Sequence, residues 1–352
     1  MVTLKPVAVR SAPRLMRSAS LSNYVDLVRA LGRDPTPFLR TVGLTAKDLA
    51  DTEALIPRDA ARELLEITAR ATRTEDFALR LAAQRKLSTL GPISLVLREE
   101  PTARQAIDTL CRYLKLVNAS LILVVEETGD WVIIREDLLP SPGLSMRQSV
   151  ELAVGTLFRM LGDLAGPGWK PREVCFTHRA PAQVEAHRAF FGRAPKFNQE
   201  FNGLVCAAAD LDKPRQFSDQ GAAALARKYL EAAMHAQGDN VQDLCMKTIQ
   251  ALLPGGECSA EQVARLLQMD RRTLHRHLAA GGLSYTRLLD QARTDLVTRH
   301  LGESDLPLGE IAGLLGFARL SSFSHWFQAQ FGCSASQWSR QREGGPQNAN
   351  AA

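Results

Sequence analysis

Along the chain, the spacing of apolar positions changes its period twice. From Leu21 to about Val117 they recur every three or four residues, as one face of a helix requires. The segments "PRDAARELLEITARA" and "PTARQAIDTLCRYLKLV" both open on proline, which suits a helix's first turn. The pattern then switches. "LILVVEETGDWVIIRE" holds two β-rich runs around Thr128, Gly129 and Asp130, and predicts a hairpin. A long apolar helix is expected at residues 144–165. After it come a strand "REVCFTH", a helix "AQVEAHRAFFG", a strand "NGLVCA" and a helix "SDQGAAALARKYLEAAMHA". Such alternation around one antiparallel or mixed sheet predicts an α+β domain over residues 21–236.

The polar, glycine-containing "AQGDN" at 236–240 marks a domain boundary. Beyond it every periodic segment is helical and the connections are short, which predicts a compact all-α domain over 240–341. Residues 1–20 are expected to form a flexible leader and 342–352 a disordered tail.

"SAEQVARLLQMDRRTLHRHLAAGG" reads as helix, tight turn, helix. Ser259 with Gln262 makes a capping box, and Val263, Leu266 and Leu267 supply the apolar face. Asp270 caps the second helix, in which Leu274 and Leu278 point inward one turn apart. Arg271, Arg272, His275 and Arg276 are left on the outer face. Gly281-Gly282 stops the helix, and Ser284 caps the next one, with Leu283 and Leu288 as a hydrophobic staple. A short helix with a basic outer face suits a DNA major groove, where arginine pairs with guanine O6/N7. A solvated charged face is the plainer alternative.

The layout then repeats. In "LGEIAGLLGFARLSSFSHWFQAQFG", Ile311, Ala312, Leu314 and Leu315 mark a first helix and Gly316 a turn. Ser321 or Ser322 starts a second helix, with Phe323 and Phe327 facing inward. The helix at 285–301 separates the two units. At 1.5 Å per residue it is ~25 Å long, which suits two recognition helices in successive major grooves about 34 Å apart.

Composition alone decides little. The chain has 352 residues, 45% hydrophobic and 23% charged, a net charge of +5 and a pI of about 9. The basic surplus favours neither half: 32 Lys+Arg against 28 Asp+Glu before residue 240, and 11 against 10 after it. Any nucleic-acid signal is therefore local. The six cysteines are scattered without a C-x-x-C pair, as expected of reduced thiols in the cytoplasm. No apolar run approaches the roughly 20 residues of a membrane span. The first 25 residues are basic and acid-free like a transit peptide, but read better as a disordered leader.

The tandem pattern "VARLLQMDRRTLHRHL…GLSYTRLLDQAR…EIAGLLGFARLSSFSHWFQAQFGCSASQWSR" resembles the AraC/XylS family of bacterial transcription regulators. The match covers residues 240–341. "LGPISLVLREEPTARQAIDTLCRYLKL", "WKPREVCFTHRAP" and "FFGRAPKFNQEFNGLVCAAADLDKP" are similar to the arabinose-binding-type sensor domain of one branch of that family. The resemblance implies a sensor domain that binds a small-molecule effector and forms a homodimer. It also implies a DNA-binding domain that acts on double-stranded promoter DNA, with RNA polymerase as a further partner in an activator. Activation is the family's commoner mode, and repression stays open.

The family's base-reading positions fall on Arg272, His275 and Arg276 in the first unit, with Arg271 near the DNA backbone. In the second unit they fall on Leu320, Ser321, Ser324 and His325. Three departures stand out. Gln268 occupies a turn position where the family often has Gly, at a cost of roughly 1 kcal/mol if left-handed. His325, Gln328 and Gln330 replace basic residues of the second recognition helix. Ala335 stands where the family's G-x-S-P motif has proline. The second unit is thus expected to grip DNA less tightly than the first, with some phosphate affinity gained when His325 is protonated.

Other chemistries find little support. His275 and His277 are two apart on a helix and diverge, and His178 and His187 lack carboxylates at ligand spacing, so neither a metal nor another cofactor is expected. No G-x-S-x-G, Walker loop or dinucleotide fingerprint is present, and the adjacent pairs Glu99-Glu100 and Glu126-Glu127 diverge, so no enzyme is expected. An N-terminal domain that is enzymatic or purely oligomerising is the alternative. A purely architectural protein would not need so large a first domain. Trp131, Phe158, Trp169 and Phe197 could line an effector pocket but fit a plain core better. No effector-binding residue can be named from the sequence.

Overall fold

The computed structural model describes residues 15–139, 141, 143–215, 220–237, 241–256, 258–267 and 269–343. The expectations for residues 1–14, most of the boundary at 236–240, Gln268 and residues 344–352 lie outside these.

Seven helices precede the main sheet: α1 (Tyr24–Ala30), α2 (Thr36–Thr41), α3 (Ala46–Ala50), α4 (Arg58–Thr72), α5 (Phe77–Ala83), α6 (Ile93–Arg98) and α7 (Ala103–Val117). Helix α7 shows why the periodicity was readable. Its Thr102 cap accepts from the Gln105 amide at 3.2 Å, and Ala106, Ile107, Leu110, Tyr113 and Leu114 form one buried stripe.

Two strands escape the periodicity. β1 (Leu15–Arg17) and β2 (Leu55–Pro57) pair antiparallel, but three residues are too few to display alternation. A 3-10 turn over Ser18–Leu21 follows β1 and buries Ser18, Ala19 and Leu21. The segment expected to be a flexible leader is therefore folded from Leu15 onward, because it closes over the helical core.

The main sheet contains β3 (Leu121–Thr128), β4 (Trp131–Leu138), β5 (Glu173–Cys175) and β6 (Gly203–Ala207) in the order β3-β4-β6-β5. Every strand pair is antiparallel. The hairpin turns at Gly129, whose φ is +58°. At Gly203 the strands approach so closely that a Cβ would stand 2.0 Å from the Ile134 carbonyl oxygen. Along β4, Val132, Ile134, Glu136 and Leu138 are buried in alternation. They face the core shared with α8 (Arg147–Ala165). Helices α9 (Glu185–Phe191), α10 (Ala208–Leu211) and α11 (Gln220–Gln237) complete this domain. Phe158, Trp169 and Phe197 pack against the core, while Trp131 is exposed with the Arg172 guanidinium 5.7 Å from its ring centre.

The second domain is helical: α12 (Val241–Leu252), α13 (Ala260–Leu266), α14 (Arg271–Ala280), α15 (Tyr285–Glu303), α16 (Leu308–Leu314), α17 (Leu320–Phe331) and α18 (Ala335–Glu343). Its core joins Ile249 and Val263 to Leu274, Leu278, Ala292, Leu296, Ile311, Leu315, Phe323 and Phe327. α18 extends two residues past the expected limit at 341. The architecture is an α+β domain followed by an all-α tandem helix-turn-helix domain.

Candidate nucleic-acid interface

The first helix-turn-helix is built by local chemistry. Ser259 and Gln262 form the capping box of α13, each bonding the other's backbone amide at 3.2 Å. Asp270 accepts from the Thr273 amide at 2.7 Å at the start of α14. That hydrogen bond, chiefly, holds its carboxyl below the usual range. Leu274 and Leu278 are fully buried, so the helix can present only one face to solvent. That face carries Arg272, His275 and Arg276, spaced by three and one, all exposed. Their side chains make no hydrogen bond or ion pair with the described residues. Arg271 differs: its guanidinium is tied to the Glu261 carboxylate at 2.6 Å across the turn. The stop is Gly282 alone, with φ +71°. Leu266 departs from expectation. It is 61% exposed, while Ala264 takes the buried position beside Val263. Helical spacing could not distinguish which edge of the stripe faced inward.

The second unit is plainer. Gly316 makes the turn at φ +72°, and Phe323 and Phe327 are buried as expected. The helix starts one residue before the expected serines: α17 begins at Leu320 behind Arg319, with no side-chain cap. Leu320, Ser321, Ser324 and His325 are exposed, and the Ser324 hydroxyl donates back to the Leu320 carbonyl at 2.9 Å. Arg319, which carries no signal in the sequence pattern, stands exposed at this N-terminus and gives the unit a cation.

Helix α15 holds both units. At 19 residues it is ~28 Å long, slightly beyond expectation. Near its start the Tyr285 hydroxyl donates to the Cys258 carbonyl at 2.8 Å, fixing the first unit. The Arg293 Nε donates to the Leu315 carbonyl at 3.0 Å, and its guanidinium lies 4.1 Å from the Phe317 ring centre. The Trp326 indole donates to Asp290 at 3.0 Å. Relative placement of the two outer faces is therefore set by packing, not by a free linker.

The far end of α15 docks on the first domain. Arg299, 8% exposed, pairs with both Asp137 oxygens at 2.5 and 3.0 Å. Arg179 bonds Asp305 and donates to the Gly302 and Ser304 carbonyls at 3.1 and 3.0 Å. Ile122 of β3 and Leu139, just past the end of β4, pack into the second domain's core.

One expectation about the first domain needs revision. His178 and His187 do have a carboxylate beside them, and both are buried. Glu151 Oε1 lies 3.1 Å from His187 Nε2, 3.6 Å from His178 Nε2 and 2.9 Å from Arg147 Nε. Desolvation opposes ionisation of Glu151, yet the His187 hydrogen bond and the neighbouring charges outweigh it and hold its pKa low. Among the described residues, no three such groups are arranged to hold a metal ion. The preference for plain core holds for Phe158, Trp169 and Phe197, while Trp131 is exposed instead; none of the four lines the cavity between β1, α4, α7 and α8. Glu126 pairs instead with Arg135 at 2.9 Å, Glu127 with Arg104 at 2.6 Å, and Glu100 with Arg227 at 3.0 Å. These pairs place three of the four adjacent acids beside arginines.

Comparison with known proteins agrees with this geometry. Residues 32–215 match the model of the arabinose-binding domain of AraC transcription regulators, and residues 263–341 match a helix-turn-helix domain. The chain is 30% identical over 326 residues to the HTH-type transcriptional regulator VirS of Mycobacterium tuberculosis, covering 92% of this chain and 96% of that protein. It is 30% identical over 183 residues to the ornithine utilization regulator of Pseudomonas aeruginosa, covering 51% and 53% of the two chains. A crystal structure of the regulator CdpR from Pseudomonas aeruginosa aligns over 89% of this chain and 97% of that one, at 21% identity and a TM-score of 0.42. No helix among the described residues is long and apolar enough to cross a membrane. With an arabinose-binding-type first domain and a tandem helix-turn-helix second domain, the chain belongs to the AraC family of DNA-binding transcription regulators.

Proposed function

We propose that this regulator reads its operator mainly through α14, with Arg272, His275 and Arg276 at base edges and Arg271 at the phosphate backbone. The observation that carries this is the outer face of α14: three cationic or ionisable side chains, exposed, without a hydrogen bond or ion pair to the described residues, on a helix fixed by Asp270, Leu274 and Leu278. Leu320, Ser321, Ser324 and His325 form the second, weaker contact in the next major groove, and Arg319 supplies phosphate affinity there.

The first domain binds a small-molecule effector and pairs two copies of the chain. Leu95, Leu225 and Tyr229, exposed by 41, 72 and 62% on α6 and α11, supply apolar surface for that dimer. An effector acts only through different affinities for conformations that present the DNA-binding domain differently. The protein works as an activator in the cytoplasm, where it contacts RNA polymerase at the promoter, and it catalyses no reaction. Its six free cysteines suit that reducing compartment.

Selection of bound sites from random double-stranded DNA tests this reading. The expected outcome is an enriched motif with two half-contacts about one helical turn apart. Recovery of no motif would contradict it.

A further inference from the structure

The first domain encloses a cavity of about 140 Å³ beneath the β3–β4 hairpin, bounded by β1, α4, α7 and α8. A cavity of about 150 Å³ is enough to admit benzene. Most of the wall is leucine, alanine and methionine. Set in that apolar wall are polar atoms without a partner among the described residues. Glu136 Oε2 and Ser149 Oγ are buried with no such hydrogen bond, in residues only 5 and 7% exposed. Arg85 is 4% exposed. Its terminal nitrogens donate to the Ala19 and Ser20 carbonyls, its Nε has no partner, and no described carboxylate forms an ion pair with it.

Unsatisfied buried groups are costly, and several around one void mark a place where a ligand completes the bonding. The charges around the void select among ligands. Arg17, Arg62, Arg85, Lys86 and Arg159 border it, against Glu136 as the acid. Burial, with the neighbouring Asp137 charge adding to it, pushes Glu136 up to about 8, so it is protonated and donates near neutral pH. Arg17 is paired with Glu53, so the positive charge that an amine would meet is chiefly that of Arg85. A carboxylate would meet the uncompensated Arg85 and hydrogen-bond donors.

We propose that this cavity binds a small monocarboxylate with an apolar body near benzene in bulk, with Arg85 as its counter-charge and Glu136 and Ser149 as its hydrogen-bonding partners. The proposal deepens the effector reading above and rests on it. The site is well placed to be felt by the DNA-binding domain. On β4, Glu136 and Leu138 line the cavity while Asp137 holds Arg299. On β3, Leu121 lines the cavity while Ile122 packs into the second domain's core. Each strand thus shows one face to the ligand and the other to the dock.

Calorimetric titration of the full chain, without DNA, tests the proposal with benzoate and hexanoate and with the matching amides and amines. At least one carboxylate should bind about tenfold or more tighter than its amide, and the amines should bind more weakly still. Arg85→Met should reduce carboxylate affinity at least about tenfold. Because that change also removes two bonds to backbone carbonyls, Ala153→Met provides a second variant, filling the cavity from α8 without touching a polar group. It should abolish carboxylate binding while DNA binding persists. Failure of both carboxylates to bind, amide or amine binding of equal strength, or undiminished binding by Ala153→Met would each overturn the proposal. DNA selection is read separately: a chain that finds its motif but ignores carboxylates refutes the ligand class alone. A chain that binds carboxylates without finding a motif keeps the ligand class and loses the operator reading.

Discussion

Glu136 is an acid placed where ionisation is hard to support. Its neighbours along β4 are Val132, Ile134 and Leu138, all buried, and it finds no hydrogen-bond partner for Oε2. With a folded pKa of about 8 against about 4.5 unfolded, the folded state binds the extra proton between those values. Stability must therefore fall as pH rises through that window. Glu136→Gln removes the titration. The variant's advantage over the wild type should grow by roughly 3–4 kcal/mol between pH 5 and pH 8 in urea unfolding. A gap that does not change with pH would show that Glu136 has a partner when folded. At the DNA face, single residues should differ in the same graded way. Ser321→Ala and His325→Ala should each cost less operator affinity than Arg272→Ala, as gel-shift titration would show; the reverse ranking would make α17 the main reader. Residue-scale features of α14 were legible because a cap, an inward leucine pair and a basic outer face all lie within one turn or two. The partner of His178 and His187 was not, since Glu151 comes from a different helix and only the tertiary fold brings it there.

Among elements, the sheet depends on close approach at one glycine. Gly203 sits at φ +144° with no room for a Cβ before the Ile134 carbonyl. Gly203→Ala should force β6 away from β4 and lower stability by about 2–4 kcal/mol, read as a drop in the urea midpoint. A change below about 0.5 kcal/mol would mean the strands can shift at no cost. The long helices, the hairpin and both helix-turn-helix units follow from periodicity, because each buries a stripe wide enough to leave its mark on the sequence. β1 and β2 are short and pair across distant segments, so no local pattern announces them. The same holds for Leu266 and Leu267, adjacent leucines at the edge of one stripe, where helical spacing permits either to turn inward.

Across the whole molecule, the two domains are joined by more than the segment between α11 and α12. Arg299 of α15 reaches Asp137 of β4, and Arg179 clasps the residues that end α15. Neither contact is readable from sequence, since the partners lie in different domains and carry no motif. Arg299→Met should leave Asp137 without its cation. The cost should be about 2 kcal/mol, below the roughly 3–5 kcal/mol of a fully buried pair because Asp137 keeps part of its hydration. Scanning calorimetry should then resolve separate melting of the domains, whereas an unchanged single transition would show that the dock does not couple them. The cavity is likewise a property of the whole first domain, assembled from segments between Met16 and Met160.

The central claim, that α14 reads bases, is tested most directly by titrating wild type and Arg276→Ala against the selected operator and against random DNA at one salt concentration. The account predicts a loss of about 1–3 kcal/mol on the operator, relaxed base preference there, and little change on random DNA. Equal weakening on both would contradict it, reducing Arg276 to a phosphate contact and α14 to a charged surface.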